Sequence, residues 1–229
     1  MGPEISKLGC KFRYLHLITH KMIDKNINMV VFDLGGVLFD IDYTYTQKAF
    51  QQLGSTTNFN AVYSQQKQAG IFDEFEKGNI SPAQFRAGLR EWLPSTTTDK
   101  QIDSAWNALL IGFPADKVEL LSKLKQKYKL YLLSNTNEIH LPEVLNMIDK
   151  AHTPGQLGKL FIKEYYSCRM GLRKPDKVIY EKVLIENKLN PATTLFIDDI
   201  AHNLEGATLA GLQTLHCTAS VNLKEYFGE

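Results

Sequence analysis

The chain has 229 residues, 44% hydrophobic and 22% charged, and a formal net charge of +1. That length and balance suit one large α/β domain or a core with a smaller inserted unit. They exclude a disordered chain, a general affinity for nucleic acid or anionic membrane, and, since no apolar run is long enough, a bilayer span.

Residues 1–28 read as an N-terminal extension. Leu8-Gly9-Cys10 has no apolar core before it to make a lipoprotein signal, and Met1-Gly2 with Ser6 outlines a myristoylation signal that Pro3 opposes. Lys11 to Ile27 mixes Phe12, Tyr14, Leu15, Leu17 and Ile18 with basic residues. It is either a short amphipathic surface helix or sequence upstream of a start at Met22 or Met29. Cys10, Cys168 and Cys217 show neither CxxC nor Cys/His ligand spacing, so no disulfide framework or zinc site is expected and a cytoplasmic location fits.

The first strand is Met29-Val30-Val31-Phe32, running straight into Asp33-Leu34-Gly35-Gly36. This is the pattern of a buried parallel strand that ends in an abrupt turn, and it sets Asp33 at the carboxyl edge of a sheet, where ligands bind in open α/β folds. Residues 44–111 then lack β-branched runs and show helical spacing in pieces, with Ser81-Pro82 as an N-cap and first helical position, and helix ends at Leu53-Gly54 and Lys77-Gly78. They are expected to form an all-helical cap inserted into the core, with hinges near Asp40 to Thr44 and Gly112 to Pro114.

Sheet patterning returns over residues 112–229, which with 29–43 make the core. A helix from about Ala115 to Tyr128 precedes a strand over Lys129 to Leu133 that ends at Ser134-Asn135-Thr136-Asn137. Tyr165 to Cys168 reads as a shorter strand, followed by Arg173-Lys174-Pro175 and a helix with Val178, Ile179, Val183 and Leu184 inward. Leu195-Phe196-Ile197 stops on Asp198 and Asp199, a helix carrying Asn203 follows, and Gln213 to Cys217 is the last strand. Alternating strands and helices predict a three-layer, Rossmann-like parallel sheet core.

The strand ends make sense together. Carboxylates gathered at one sheet edge repel unless a cation sits between them, and hard oxygen ligands favour Mg²⁺. The metal and Lys174 would offset the charge of a phosphate, Ser134 would hold its oxygens, and one carboxylate would attack phosphorus.

The order Asp-x-x-Gly, Ser, Lys-Pro, Asp-Asp, with Asn203 four positions after Asp199, resembles the haloacid dehalogenase (HAD) superfamily of phosphohydrolases, over about Met29 to Glu229. Leu133-Ser134-Asn135-Thr136-Asn137 and Gly171-Leu172-Arg173-Lys174-Pro175 are similar to its small helical (C1) cap subgroup containing α-glucose-1-phosphate phosphatases. The resemblance implies Asp33 as nucleophile and metal ligand, Ser134 and Lys174 as catalytic phosphoryl-binding groups with Asn135 beside them, and Asp198, Asp199 and the Gly35 carbonyl toward Mg²⁺. Asn203 would hold the loop of paired acids.

The chain departs from that pattern at Gly35, where most phosphatases of the superfamily carry a second Asp as general acid and base. That function is worth roughly 10²–10⁴-fold in rate. Asp40 or Asp42, entering the cap, or His140, more readily a helix-surface residue, can substitute, or none is needed. The last case favours a sugar-1-phosphate or acyl phosphate, whose leaving group is better than an ordinary alkoxide. The expected function is therefore a Mg²⁺-dependent phosphatase of a small phosphometabolite, monomeric or a weak homodimer. The alternatives are a catalytically impaired phosphosugar-binding module and a 2-haloacid dehalogenase, the latter disfavoured by the paired Asp198 and Asp199. Phe72, Phe75, Glu76, Trp92, Trp106 and Asn107 in the cap read as core ahead of pocket.

Overall fold

The computed structural model describes residues 22–57, 63–64, 67–68 and 70–229. In chain order the strands are β1 (Met29–Phe32), β2 (Asp40–Ile41), β3 (Tyr63–Ser64), β4 (Lys67–Gln68), β5 (Leu110–Gly112), β6 (Lys129–Ser134), β7 (Lys163–Tyr166), β8 (Thr194–Asp198) and β9 (Gln213–His216). Five of them form one parallel sheet in the order β7-β6-β1-β8-β9, with β1 at its centre between β6 and β8.

Alternate side chains of β1 serve the two faces, because successive residues of a strand point to opposite sides. Val30 and Phe32 join one buried cluster with Leu130, Leu132, Leu195 and Ile197. Met29 and Val31 join a second with Tyr131, Leu133 and Phe196. Each fully buried side chain of this size contributes roughly 1.5–3 kcal/mol, so the central strand is firmly held from both faces. Helix Ala115–Leu124 turns Leu120, Leu121 and Leu124 onto the first face, and helix Lys177–Asn187 turns Ile179, Tyr180, Val183 and Leu184 onto the second.

The expected core therefore appears, with differences of detail. Val178 is 54% exposed rather than inward. It lies about 100° around the helix from Ile179 and shares its outer face with Ile185. Tyr165 and Tyr166 end β7, while Ser167 and Cys168 open a one-turn helix, Ser167–Met170. The expected helix at Lys11 to Ile27 falls mostly outside the described residues; from Met22 to Asn28 the chain forms a turn and no helix.

The insert is helical in the main but not throughout. Helices Tyr43–Gln52, Ile71–Glu76, Pro82–Leu89 and Asp99–Asn107 surround Phe50, Phe72, Phe75, Phe85, Leu89, Ile102 and Trp106. Ser81 caps Pro82–Leu89 in a capping box with Gln84, as the Ser-Pro signal implies. The short antiparallel pair β3–β4 interrupts the helices, and β2 pairs antiparallel with β5 where the chain enters and leaves the insert. Strands of two or three residues carry no readable periodicity, which is why the sequence does not announce them. No helix among the described residues is long and apolar enough to cross a membrane.

Candidate active site

Parallel strands β1, β6 and β8 all end on the same edge, and the residues after their last apolar positions converge there. Asp33 continues the ladder beyond β1, its N–H donating to the Ile197 carbonyl at 2.9 Å. Gly36 follows at φ +77°, and a Cβ there would stand 2.3 Å from Asp199 Oδ2. Only glycine allows both this left-handed turn and the close approach of Asp199.

Lys174 binds the cluster together. Its ammonium lies 2.7 Å from Asp33 Oδ1 and 2.7 Å from Asp198 Oδ2, and its side chain is 1% exposed. Asn135 lines the same edge. It spends both ends on the Lys174 backbone, accepting from the N–H at 2.9 Å and donating to the carbonyl at 3.0 Å, and so fixes where the lysine starts. Asp198 is held by Asn203 Nδ2, 3.0 Å from each oxygen, and by the Ile200 N–H at 2.8 Å. Ser134, 3% exposed, ends β6 as expected.

One oxygen each of Asp33, Asp198 and Asp199 lies within 4.8 Å of the others. Burial pushes the Asp33 carboxyl up, to about 8, and the charges of Asp198 and Asp199 add to this while Lys174 opposes it. Three hard oxygen donors with one ammonium leave net negative charge in a buried space. The donor set fits a divalent cation of the Mg²⁺ kind.

The cap closes a cavity of about 530 Å³ over this edge, lined by Asp33, Gly35, Lys174 and Asp199 from the core and by Tyr43 and Glu76 from the cap. Arg173, beside Lys174, pairs with Asp73 at 3.0 Å and with Glu76 at 2.8 Å, tying cap to core. Sequence reasoning passed over Arg173 and Tyr43. The only signal for Arg173 was its place beside Lys174, and for Tyr43 its place just after the predicted hinge acid Asp42.

Of the residues considered to replace the acid at position 35, none stands ready as a donor. Asp40 is exposed on β2. Asp42 caps helix Tyr43–Gln52, accepting from the Thr44 N–H at 2.8 Å, which holds its carboxyl below the usual range. His140 is not on the helix surface. It is 7% exposed and stacks on Trp106 with centroids 4.7 Å apart. Burial pushes its ring down to about 3, and its Nδ1 lies 2.8 Å from Asn107 Oδ1, so the ring is neutral and has no proton to give from Nε2. Phe72, Phe75 and Trp106 build the cap core and Trp92 packs against it, as expected, whereas Glu76 reaches the cavity.

Comparison with known proteins identifies the family. The model of the haloacid dehalogenase-like hydrolases matches residues 27–211. D-ribitol-5-phosphate phosphatase of Bacteroides thetaiotaomicron is 30% identical over 191 residues, covering 82% of this chain and 90% of that protein. A sesquiterpene phosphatase of Aspergillus oryzae is 29% identical over 195 residues, covering 83% and 90%. A HAD-family enzyme of Bacteroides thetaiotaomicron, solved with magnesium and inorganic phosphate, has a TM-score of 0.78 at 37% identity and covers 88% of this chain and 99% of that one. With that model matching residues 27–211, and a relative 30% identical over 82% of this chain, the chain belongs to the haloacid dehalogenase-like hydrolase family.

Proposed function

We propose that the chain is a Mg²⁺-dependent phosphomonoester hydrolase of a small hydroxylated phosphometabolite, a sugar or polyol phosphate with an anomeric sugar phosphate preferred, and that Asp33 carries the phosphoryl group in transit. The observation that supports this most is the convergence of Asp33, Asp198, Asp199 and Lys174 at one buried sheet edge under a cap. The relatives named for phosphatase activity, and the neighbour solved with magnesium and phosphate, support it further.

The chemistry follows from the residues. An Asp33 oxygen bonds to phosphorus as the bond from phosphorus to the leaving oxygen breaks, and water then attacks phosphorus, freeing phosphate and restoring the carboxylate. Lys174 aims Asp33 and adds positive charge beside the phosphoryl oxygens, while Ser134 offers them a hydroxyl. A cation held by Asp33, Asp198, Asp199 and the Gly35 carbonyl would supply the remaining neutralising charge. Because position 35 has no side chain, the departing oxygen takes its proton from solvent, and good leaving groups are favoured.

Phosphate release measured over a panel of sugar, alkyl and acyl phosphates tests this reading. Turnover is expected to stop on chelation of Mg²⁺ and to rank hexose 1-phosphates and acyl phosphates above glycerol phosphate. Equal turnover of glycerol phosphate would remove the anomeric preference. Silence across the panel with Mg²⁺ and phosphate still bound would leave a phosphosugar-binding module.

Gly35→Asp probes the missing acid directly. A Cβ at this position meets only Ile41, Cδ1 at 3.2 Å, the far end of a flexible side chain. The substitution is expected to raise kcat on glycerol phosphate by about 10-fold or more while barely changing acyl phosphate hydrolysis, since general acid catalysis helps poor leaving groups most. An equal change on both would mean that the proton is not limiting.

A further inference from the structure

The cap side of the cavity carries an anion for which phosphate binding gives no reason. Glu76 ends helix Ile71–Glu76, is 5% exposed, and lines both the large cavity and a smaller one of about 70 Å³ that it shares with Gly35, Ser134 and Tyr43. A carboxylate buried in a space meant for a phosphate dianion costs desolvation and adds repulsion. Something must reward its presence.

Arg173 supplies part of the answer. Its Nη2 lies 2.8 Å from Glu76 Oε2 and its Nη1 3.0 Å from Asp73 Oδ1. The guanidinium belongs to the residue next to Lys174, so the carboxylate is held at a set place relative to the phosphate end of the cavity. One ion pair leaves most of the acceptor capacity of a carboxylate unused, since its two oxygens offer about four lone-pair sites. A ligand rich in hydroxyl donors can fill the rest. An apolar ligand cannot, and would leave those sites buried and unpaired.

We propose that Glu76 is the specificity-determining residue of this site: its carboxylate accepts hydrogen bonds from hydroxyls of a polyol or sugar phosphate whose phosphoryl group lies at Asp33 and Lys174. The inference rests on the phosphatase reading and adds the side chain that separates hydroxylated from plain alkyl leaving groups. Tyr43 lines the same two cavities and brings a phenol to the same wall. Sites built to pair substrate hydroxyls discriminate strongly against analogues lacking them, because their own polar groups are then stranded.

The test is binding, which needs no turnover. In an Asp33→Asn background with Mg²⁺, calorimetry measures Kd for ribitol 5-phosphate and for pentyl phosphate, its counterpart without hydroxyls. The preference for the polyol is expected to fall by about 10- to 100-fold on adding Glu76→Gln, the span of one or two hydrogen bonds to a charged group. An equal loss on both ligands, no change in the ratio, or no preference to begin with would overturn the proposal. If Glu76→Gln does not fold, Glu76→Asp keeps the charge beside Arg173 but withdraws it by one methylene, and the same ratio decides. Turnover of the whole phosphate panel, with ribitol 5-phosphate included, is measured in parallel on the unaltered protein. Its absence, with the binding preference intact, would sink the hydrolase reading and leave the role of Glu76 standing.

Discussion

Asp33→Asn is expected to reduce phosphate release by at least about 10⁴-fold while leaving the protein folded, the scale seen when an attacking side chain is removed. The amide matches the carboxylate in shape, and Lys174 keeps its 2.7 Å partner in Asp198, so no buried charge is stranded. The effect on stability has a definite sign. Asp33 has a folded-state value of about 8 against an ordinary 3.8, raised chiefly by burial. A group raised in this way contributes stability at low pH that is lost as pH climbs between those two values. Without divalent cation the parent protein should therefore lose stability from pH 4 toward pH 8, and Asp33→Asn should flatten that slope. Mg²⁺ should flatten it too, by favouring the ionised form. Residual turnover within about 10-fold of the parent would remove Asp33 from the role of nucleophile.

Lys174→Met is expected to damage both activity and fold. The ammonium is buried between two carboxylates at 2.7 Å, and Met keeps the length of the side chain while removing its charge. Breaking a buried pair by deleting one partner typically costs about 3–5 kcal/mol, because the other partner stays desolvated and unpaired. Here two carboxylates are left facing each other, so the loss should be larger at pH 8 than at pH 5, where protonation relieves it. Turnover should fall by about 10²–10³-fold, as for loss of one preorganised charge at a developing anion. Denaturant midpoints with and without Mg²⁺ separate the two effects. A cation that restores stability but not rate shows that Lys174 contacts the phosphoryl group, whereas recovery of both would leave it only a counterion.

Much of this was legible in the chain because buried parallel strands read as unbroken apolar runs. Met29 to Phe32, Leu130 to Leu133 and Leu195 to Ile197 each stop on a polar residue, and each stop proved to lie on one sheet edge. Asp198 with Asn203 was readable for the same reason, the two being held by a short loop and the first turn of a helix. Less could be read where packing rather than pattern decides. Phe72 and Glu76 lie four positions apart on one cap helix and look alike as candidates for core or pocket, yet Phe72 stacks on Trp106 while Glu76 turns to Arg173. His140 opens helix His140–Ala151 with nothing local to mark it as buried, because its cover comes from Trp106 and Asn107 in the cap.

The order of elements, the parallel sheet and the residue type at each strand end are therefore properties of the sequence, carried by apolar runs and turn residues a few positions apart. The closure of the cap was decided by tertiary structure. Arg173 and Asp73 are 100 positions apart, and their contact depends on how two separate faces meet. The same holds for the burial of His140 under Trp106 and the engagement of Asn135 with Lys174, each owed to a residue more than 30 positions away. Local periodicity reports which face of an element is buried, but not which distant charge it will meet there. In this protein that meeting sets one wall of the candidate site.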